Sequence, residues 1–172
     1  MALINDILRL SQLDEGGALP HEQVSVLELA QEAARSLTAQ AAAQAVHISV
    51  TGTAGTVFGV RRLLYEIARN LCENAVKYNV PGGSVTVEVA ETDRDVTLLV
   101  RDTGIGIPQE MLSHIYDFGF STKAAEGRGF GMSMIQNIVV RHDGTIDVDT
   151  EQGAGTTFTL IFQIKRQKEG SQ

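Results

Sequence analysis

The chain has 172 residues, the size of one compact domain, and its 43% hydrophobic content is enough for a core and excludes a disordered chain. Fourteen Lys and Arg against 21 Asp and Glu leave a net charge of −7 and a pI near 5.0, which speaks against a nucleic-acid-coating protein. The single cysteine, Cys72, allows neither an internal disulfide nor a multi-cysteine zinc site. No apolar run nears the ~18 residues that span a bilayer, and nothing at the N-terminus reads as a signal peptide. A soluble domain of a reducing compartment is the expectation.

Residues 1–14 place Leu3, Ile7 and Leu10 on one helical stripe, which stops at Glu15-Gly16-Gly17. Met1 enters the pattern without a cap, so this segment is expected to be the end of a longer helix. Ser25 to Glu28 fits a capping box that opens a helix running to about Gln44. His47–Val50 alternates as a strand, and Thr56–Val60 is a short extended piece. Arg61–Tyr78 is the clearest helix, ended by Val80-Pro81-Gly82-Gly83. Ser84–Glu91 and Val96–Arg101 predict a hairpin. Residues 102–128 read as loop with one short helix near 108–115, Gly129–His142 as helix, and Thr145–Thr150 with Thr156–Ile164 as a second hairpin. The polar tail 165–172 is expected to be disordered. Helices and antiparallel hairpins in separate blocks predict an α/β (α+β) two-layer sandwich, a mixed sheet with helices packed on one face.

Glycines carry the first functional hint. Seventeen is above the usual ~7% share, and they cluster at Gly104 and Gly106, at Gly127, Gly129 and Gly131, and at Gly153 and Gly155. On the Arg61–Tyr78 helix, Glu66, Asn70, Asn74 and Lys77 share one stripe. That stripe is either a solvated face or a place where amide oxygens hold a hydrated Mg²⁺ and Lys77 meets phosphates. Asp102 ends a strand just before Thr103-Gly104-Ile105-Gly106, where its carboxylate can accept from an exocyclic amine and so select adenine; alone, that pattern is weak, because Asp and Gly are common in turns. Gly127-Arg128-Gly129-Phe130-Gly131 leads into a helix whose N-terminus suits phosphate. It lacks the dinucleotide-binding spacing and the preceding strand, and no P-loop occurs anywhere. Cys72 falls on the apolar side of its helix, as a buried inert thiol.

The order of the motifs is more specific than any of them. Asn70–Tyr78 (NLCENAVKY), Asp102–Pro108 (DTGIGIP), Ile115–Lys123 (IYDFGFSTK), Gly127–Ser133 (GRGFGMS) and Gly153–Phe158 (GAGTTF) resemble, in sequence and spacing, the N, G1, F, G2 and G3 boxes of the catalytic ATP-binding domain of sensor histidine kinases. The resemblance covers about residues 24–164. Residues 1–16 look like the end of the second helix of the dimerisation and phosphoacceptor domain; residues 17–164 would be the catalytic domain. The resemblance implies the Bergerat ATP-binding fold and, as ligands, ATP with Mg²⁺. It implies magnesium coordination by Asn74, with Asn70 one turn before, and phosphate and base contacts by Lys77 and Tyr78. It implies adenine recognition by Asp102, with Gly104, Gly106 and Ile107 around the base. Ser121, Thr122 and Lys123 fall in the F box, and Gly127, Arg128, Gly129, Phe130, Gly131 and Met132 in the lid and its hinge. Thr156 or Thr157 matches the strand threonine near the adenine contact. Asn70, Lys77, Lys123 and Arg128 are the candidate catalytic residues, the last two either γ-phosphate contacts or solvated lid charges.

The family's phosphoacceptor context is absent from this sequence. His21, His47, His114 and His142 all lack it: His21-Glu22 continues without the proline, and His142 sits at a helix end where an imidazole meets the last carbonyls. The acceptor is therefore expected upstream, in a parent that resembles a membrane-anchored homodimer with this domain in the cytoplasm, signalling to a response regulator; the isolated chain is expected to be able to exist as a monomer, without nucleic acid. Phe58-Gly59-Val60 places valine where many relatives have aspartate, which leaves the cap of the next helix open. Two rivals remain at this level. One is another ATPase of the superfamily (an anti-sigma serine kinase, or a gyrase or chaperone type), although the hydrolases resembled carry a glutamate base where Asn70 stands. The other is a non-enzymatic pseudokinase.

Overall fold

Five strands make a mixed sheet in the order β2-β4-β5-β7-β6: β2 (His47–Gly52), β4 (Ser84–Glu91), β5 (Asp95–Asp102), β7 (Gly155–Gln163) and β6 (Gly144–Glu151). Only β2 and β4 run parallel. The computed structural model describes residues 19–117 and 131–164. The predicted helix at 1–14, the tail from 165, and Ser121, Thr122, Lys123, Gly127, Arg128, Gly129 and Phe130 lie outside them.

Strand period decides which face is buried. On β4 Val85, Val87 and Val89, on β5 Val96, Leu98 and Val100, and on β7 Phe158, Leu160 and Phe162 point inward, while Thr86, Glu88, Thr97 and Arg101 point to the other face. The helices α1 (Val26–Ser36), α3 (Arg61–Lys77) and α4 (Gly131–Arg141) cover the inward face. Each contributes an apolar stripe, such as Leu64, Ile67, Leu71 and Ala75 on α3. Burying one such side chain is worth ~1.5–3 kcal/mol, so this layer carries the fold. The two-layer expectation holds.

Two expectations need correction. The single helix to Gln44 is broken at Leu37, where the backbone leaves helical geometry (φ −103°, ψ 3°), giving α1 and a short α2 (Thr38–Ala43). The Ser36 hydroxyl donates to Ala33 O at 2.7 Å and the Thr38 hydroxyl to Arg35 O at 2.9 Å. Hydroxyls competing for helical carbonyls loosen the helix there, while Leu37 itself turns into the core. Second, Glu22–Ser25 forms a strand, β1, paired antiparallel with β3 (Thr56–Gly59) in a separate ribbon. Ser25 still caps α1 by accepting from Glu28 N at 3.3 Å.

The cap of α3, with Val60 in place of aspartate, is resolved from a distance. The Val60 N–H donates to His142 Nε2 at 3.1 Å, and His142 Nδ1 donates to Ile138 O at 2.8 Å. One neutral imidazole thus joins the start of α3 to the end of α4. The sequence-based expectation that His142 meets the last helical carbonyls is met, and the second bond adds to it.

Candidate functional site

Asp102 is the fourth and last residue of the inward series of β5, which runs Val96, Leu98, Val100, Asp102. Strand period therefore puts its carboxylate on the helix-covered side, at the end of the sheet. Register extends the row: Asp102 pairs with Thr156 on β7, and Thr156 with Thr150 on β6. Beside this row lies a cavity of about 230 Å³. From α3 it receives Leu71, Asn74, Ala75 and Tyr78, the i, i+3, i+4, i+7 face of that helix; from the start of α4 it receives Gly131 and Met132. Its volume is below the ~300–1,000 Å³ of a drug-sized pocket, the scale for one flat ring with the rest of a ligand outside.

The polar end is built by backbone. Asp102 Oδ1 accepts from Gly104 N at 2.9 Å and from Thr156 N at 3.2 Å, which holds the carboxylate in one pose. Burial pushes its pKa above the ordinary carboxylate value, while these two N–H bonds pull it down; burial prevails. The loop after it is tied on both sides. Ile105 N donates to Tyr78 O at 3.0 Å, Gly153 N to Ile105 O at 2.8 Å, and Ile107 N to Thr150 Oγ1 at 2.9 Å. Gly106 sits at φ +70°, and a Cβ there would come within 2.2 Å of Glu151 O. Only glycine allows that approach.

Of the residues singled out by sequence, Asn74, Tyr78, Asp102, Gly106, Ile107, Gly131, Met132 and Thr156 line the cavity. Asn70, Lys77 and Gly104 stand near it without lining it. Asn70 Nδ2 donates to Glu66 O at 2.7 Å, and its Oδ1 lies toward Gly131, 3.5 Å from where a Cβ would be. Lys77 Nζ is 5.4 Å from the centroid of the Tyr78 ring. Thr157 must be separated from Thr156: it is one residue out of phase, so it faces the opposite side of the sheet, opposite Arg101 and Asp149. The threonine of the site is Thr156. Val100 and Met111, which fall in none of the boxes, and Ile115 and Phe158, which fall in boxes without an assigned role, also line the cavity. Stepping by two from Asp102 and Thr156 would have found Val100 and Phe158; Met111 and Ile115 belong to a segment without usable periodicity, a 3-10 turn at Gln109–His114 and the residue after it.

The donor set suits a hard cation only in part from side chains. Among the described residues no group of three His, Cys, Asp or Glu converges. Asn74 spends its Nδ2 on Met132 Sδ at 3.7 Å, which leaves its amide oxygen for a ligand. A Mg²⁺ that keeps waters and takes phosphate oxygens fits one amide oxygen from the protein.

The sequence profile of a family described as "Histidine kinase-, DNA gyrase B-, and HSP90-like ATPase" matches residues 59–166, more than half of the chain. The heme sensor protein HssS of Staphylococcus saprophyticus is 31% identical over 163 residues, 94% of this chain and 35% of that protein. The histidine protein kinase DivJ of Caulobacter vibrioides is 33% identical over 169 residues, 94% of this chain and 28% of that protein. The chain thus spans about a third of the length of these relatives. Among solved structures, a mycobacterial sensor histidine kinase, MprB, superposes with a TM-score of 0.75 at 26% identity, over 84% of this chain and 97% of that one. Full-length ShkA, in complex with AMPPNP, superposes with a TM-score of 0.82 over 94% of this chain and 35% of that one; at 23% identity it shows the shared fold. No helix among the described residues is long and apolar enough to cross a membrane. With the boxes, the sheet order and the profile in agreement, the chain belongs to the histidine kinase-, DNA gyrase B- and HSP90-like ATPase family, and it has the fold of the ATP-binding catalytic domain of sensor histidine kinases.

Proposed function

We propose that this chain binds Mg²⁺-ATP and positions its γ-phosphate for transfer to a histidine on a separate phosphoacceptor domain of the parent kinase, with a response regulator as the next acceptor. The observation that carries the reading is the Asp102 carboxylate, held by two backbone N–H groups at the closed end of a ring-sized cavity whose other walls are Asn74 and the start of α4.

The base enters between the loop at Ile105–Pro108 and the apolar floor of Val100, Phe158 and Met111. Its exocyclic amine donates to Asp102. Asn74 then faces the phosphates and supplies the amide oxygen for the cation, which, when bound, neutralises phosphate charge. Lys77, Lys123 and Arg128 are the basic residues assigned to the phosphate side. Phosphoryl transfer asks the protein mainly for alignment and charge compensation, and a site without a nucleophile of its own suits that. Asn70 occupies the place where the hydrolases of the superfamily carry a glutamate base. An amide cannot take a proton from water near neutral pH, so hydrolysis is disfavoured. The parent is proposed to be a homodimer anchored in a membrane, with this domain on the cytoplasmic side.

Incubation of the chain with γ-labelled ATP, alone and with the parent's phosphoacceptor domain, tests the reading. The expected result is ATP binding without self-labelling or appreciable phosphate release, and weak labelling of the added domain, weak because tethering no longer raises the effective concentration. Stable self-labelling would place the acceptor in this chain; rapid phosphate release would favour the ATPase reading.

A further inference from the structure

His142 belongs to none of the boxes and does not line the cavity, yet its partners allow its ring only one form. The Val60 N–H can only donate, so Nε2, 3.1 Å away, is an acceptor without a proton. The Ile138 carbonyl can only accept, so Nδ1, 2.8 Å away, carries the proton. A second proton would go to Nε2 and point at the N–H of Val60, a buried residue. The bond to Ile138 survives protonation; the bond to Val60 does not. The titratable and charged groups on the surrounding elements are His21, whose ring centroid is 6.5 Å away, Glu22 on β1, Glu32 on α1, Arg61 and Arg62 on α3, and Arg141 and Asp143 on either side in the chain. Glu32 and Arg61 pair with each other at 3.0 Å. Acidic and basic residues balance in number, and the carbonyl end of α4 favours a cation by less than an unpartnered buried N–H costs. The Val60 N–H therefore decides that the neutral ring is the one held.

We propose that His142 is a positioning residue that locks the two helical walls of the cavity together when neutral and releases them when protonated, so that acid lowers nucleotide affinity from outside the cavity. The ring ties the start of α3 to the last turn of α4. From the same two helices the cavity receives Asn74 and Tyr78 on one side and Gly131 and Met132 on the other. A ligand gripped by both walls binds the locked arrangement better. The coupling is reciprocal: nucleotide must make the ring harder to protonate by the factor by which protonation weakens the nucleotide. The proposal rests on the reading of this cavity as a nucleotide site.

The test reads the ring itself, by NMR of the imidazole nitrogens of the whole chain on acidification from neutral pH, with and without ATP and Mg²⁺. The expected result is a protonated Nδ1, a bare Nε2 and a titration midpoint below the ~6.5 of free histidine, lowered further by ATP by about 0.7 unit for a fivefold coupling. The bond to Val60 contributes fully above ~6.5 and is lost as pH falls through the ring's own midpoint. Over that range the denaturant midpoint should fall, and affinity for ATP should fall about fivefold or more. His142→Gln keeps an acceptor for Val60 and cannot titrate, so both slopes should flatten to whatever Asp102 contributes, while His21→Gln should leave them in place. A proton on Nε2, a midpoint at or above ~6.5, slopes unchanged in His142→Gln or lost in His21→Gln, or a midpoint that ATP does not move overturns the proposal. The NMR arm needs no variant, so it decides even where His142→Gln fails to fold. Absence of nucleotide binding at every pH, with the ring titrating as expected without ligand, overturns instead the nucleotide-site reading beneath it.

Discussion

In the proposed function Asp102 and Asn74 divide the work of the cavity between a charge and an amide, and each has a separable consequence. Asp102 is held by N–H donors but is also buried, and burial raises its pKa from the ordinary 3.8. A carboxyl with a raised folded pKa opposes folding when ionised. That penalty is fully present above the raised pKa and fades as pH falls through it toward the unfolded value. Asp102→Asn keeps an oxygen for Gly104 and Thr156 and removes the charge. It should therefore melt no lower than the unsubstituted chain at neutral pH, with any advantage shrinking on acidification, while losing preference for ATP over GTP. Losing a hydrogen bond to a charged group costs ~1.5–3 kcal/mol, so the preference should fall roughly ten- to hundredfold. In the unsubstituted chain the same preference should decline on acidification before pH reaches 3.8. A preference flat across that range would separate Asp102 from the base. Asn74→Ala should weaken ATP binding with Mg²⁺ by about tenfold or more, since even indirect partners of a metal are worth 10–100-fold, and should change binding in EDTA little. Equal losses in both conditions would remove Asn74 from the cation.

At the scale of elements, the two helices that wall the cavity are registered by a group far from it. His142 bridges the N-terminal backbone of α3 and the last turn of α4, and the space for its ring exists because residue 59 is glycine, where a Cβ would come within 2.5 Å of the imidazole. The bridge anchors the start of α3 through the N–H of Val60, a residue whose side chain makes no capping hydrogen bond. His142→Ala should lower stability by about 1–2 kcal/mol, the range for a lost cap or buried hydrogen bond, measured by denaturant unfolding with an unchanged slope. No loss would mean that α3 and α4 are held by their apolar contacts alone. Gly155 makes a comparable demand on the other side: at φ +125°, a Cβ would come within 2.0 Å of Asp102 O, so the strand that brings Thr156 to Asp102 must begin with glycine.

Over the whole molecule, one apolar layer between the sheet and α1, α3 and α4 holds every element that contributes to the cavity. Cys72 lies in that layer, fully buried, and burial pushes its thiol up to about 12. Near neutral pH it is neither ionised nor accessible. Being the only cysteine, it should react with a thiol reagent only as fast as the domain opens globally, and labelling should follow the loss of circular dichroism. Faster labelling would show that α3 opens locally, and with it the wall that carries Asn74.

Much of this was legible before any coordinates. The apolar period of Arg61–Tyr78 and the alternation of the two hairpins determined the elements, and the ordered boxes determined the family, because both depend on spacing along the chain. The break at Leu37 was not legible, since an unbroken apolar stripe carries no mark of two hydroxyls bonding back to carbonyls. The β1–β3 ribbon was not legible either, because strand pairing across some thirty residues depends on a partner. Thr156 could not be told from Thr157 by resemblance alone; the register with Asp102 separates them, since one step along a strand reverses the face. Most of all, the meeting of the Thr150 and Thr156 hydroxyls with the Ile107 N–H and the Gly155 carbonyl belongs to the tertiary structure. It exists only because β6, β7 and the Ile107 loop bring four polar groups to one point, residues far apart in the sequence whose meeting no local pattern encodes.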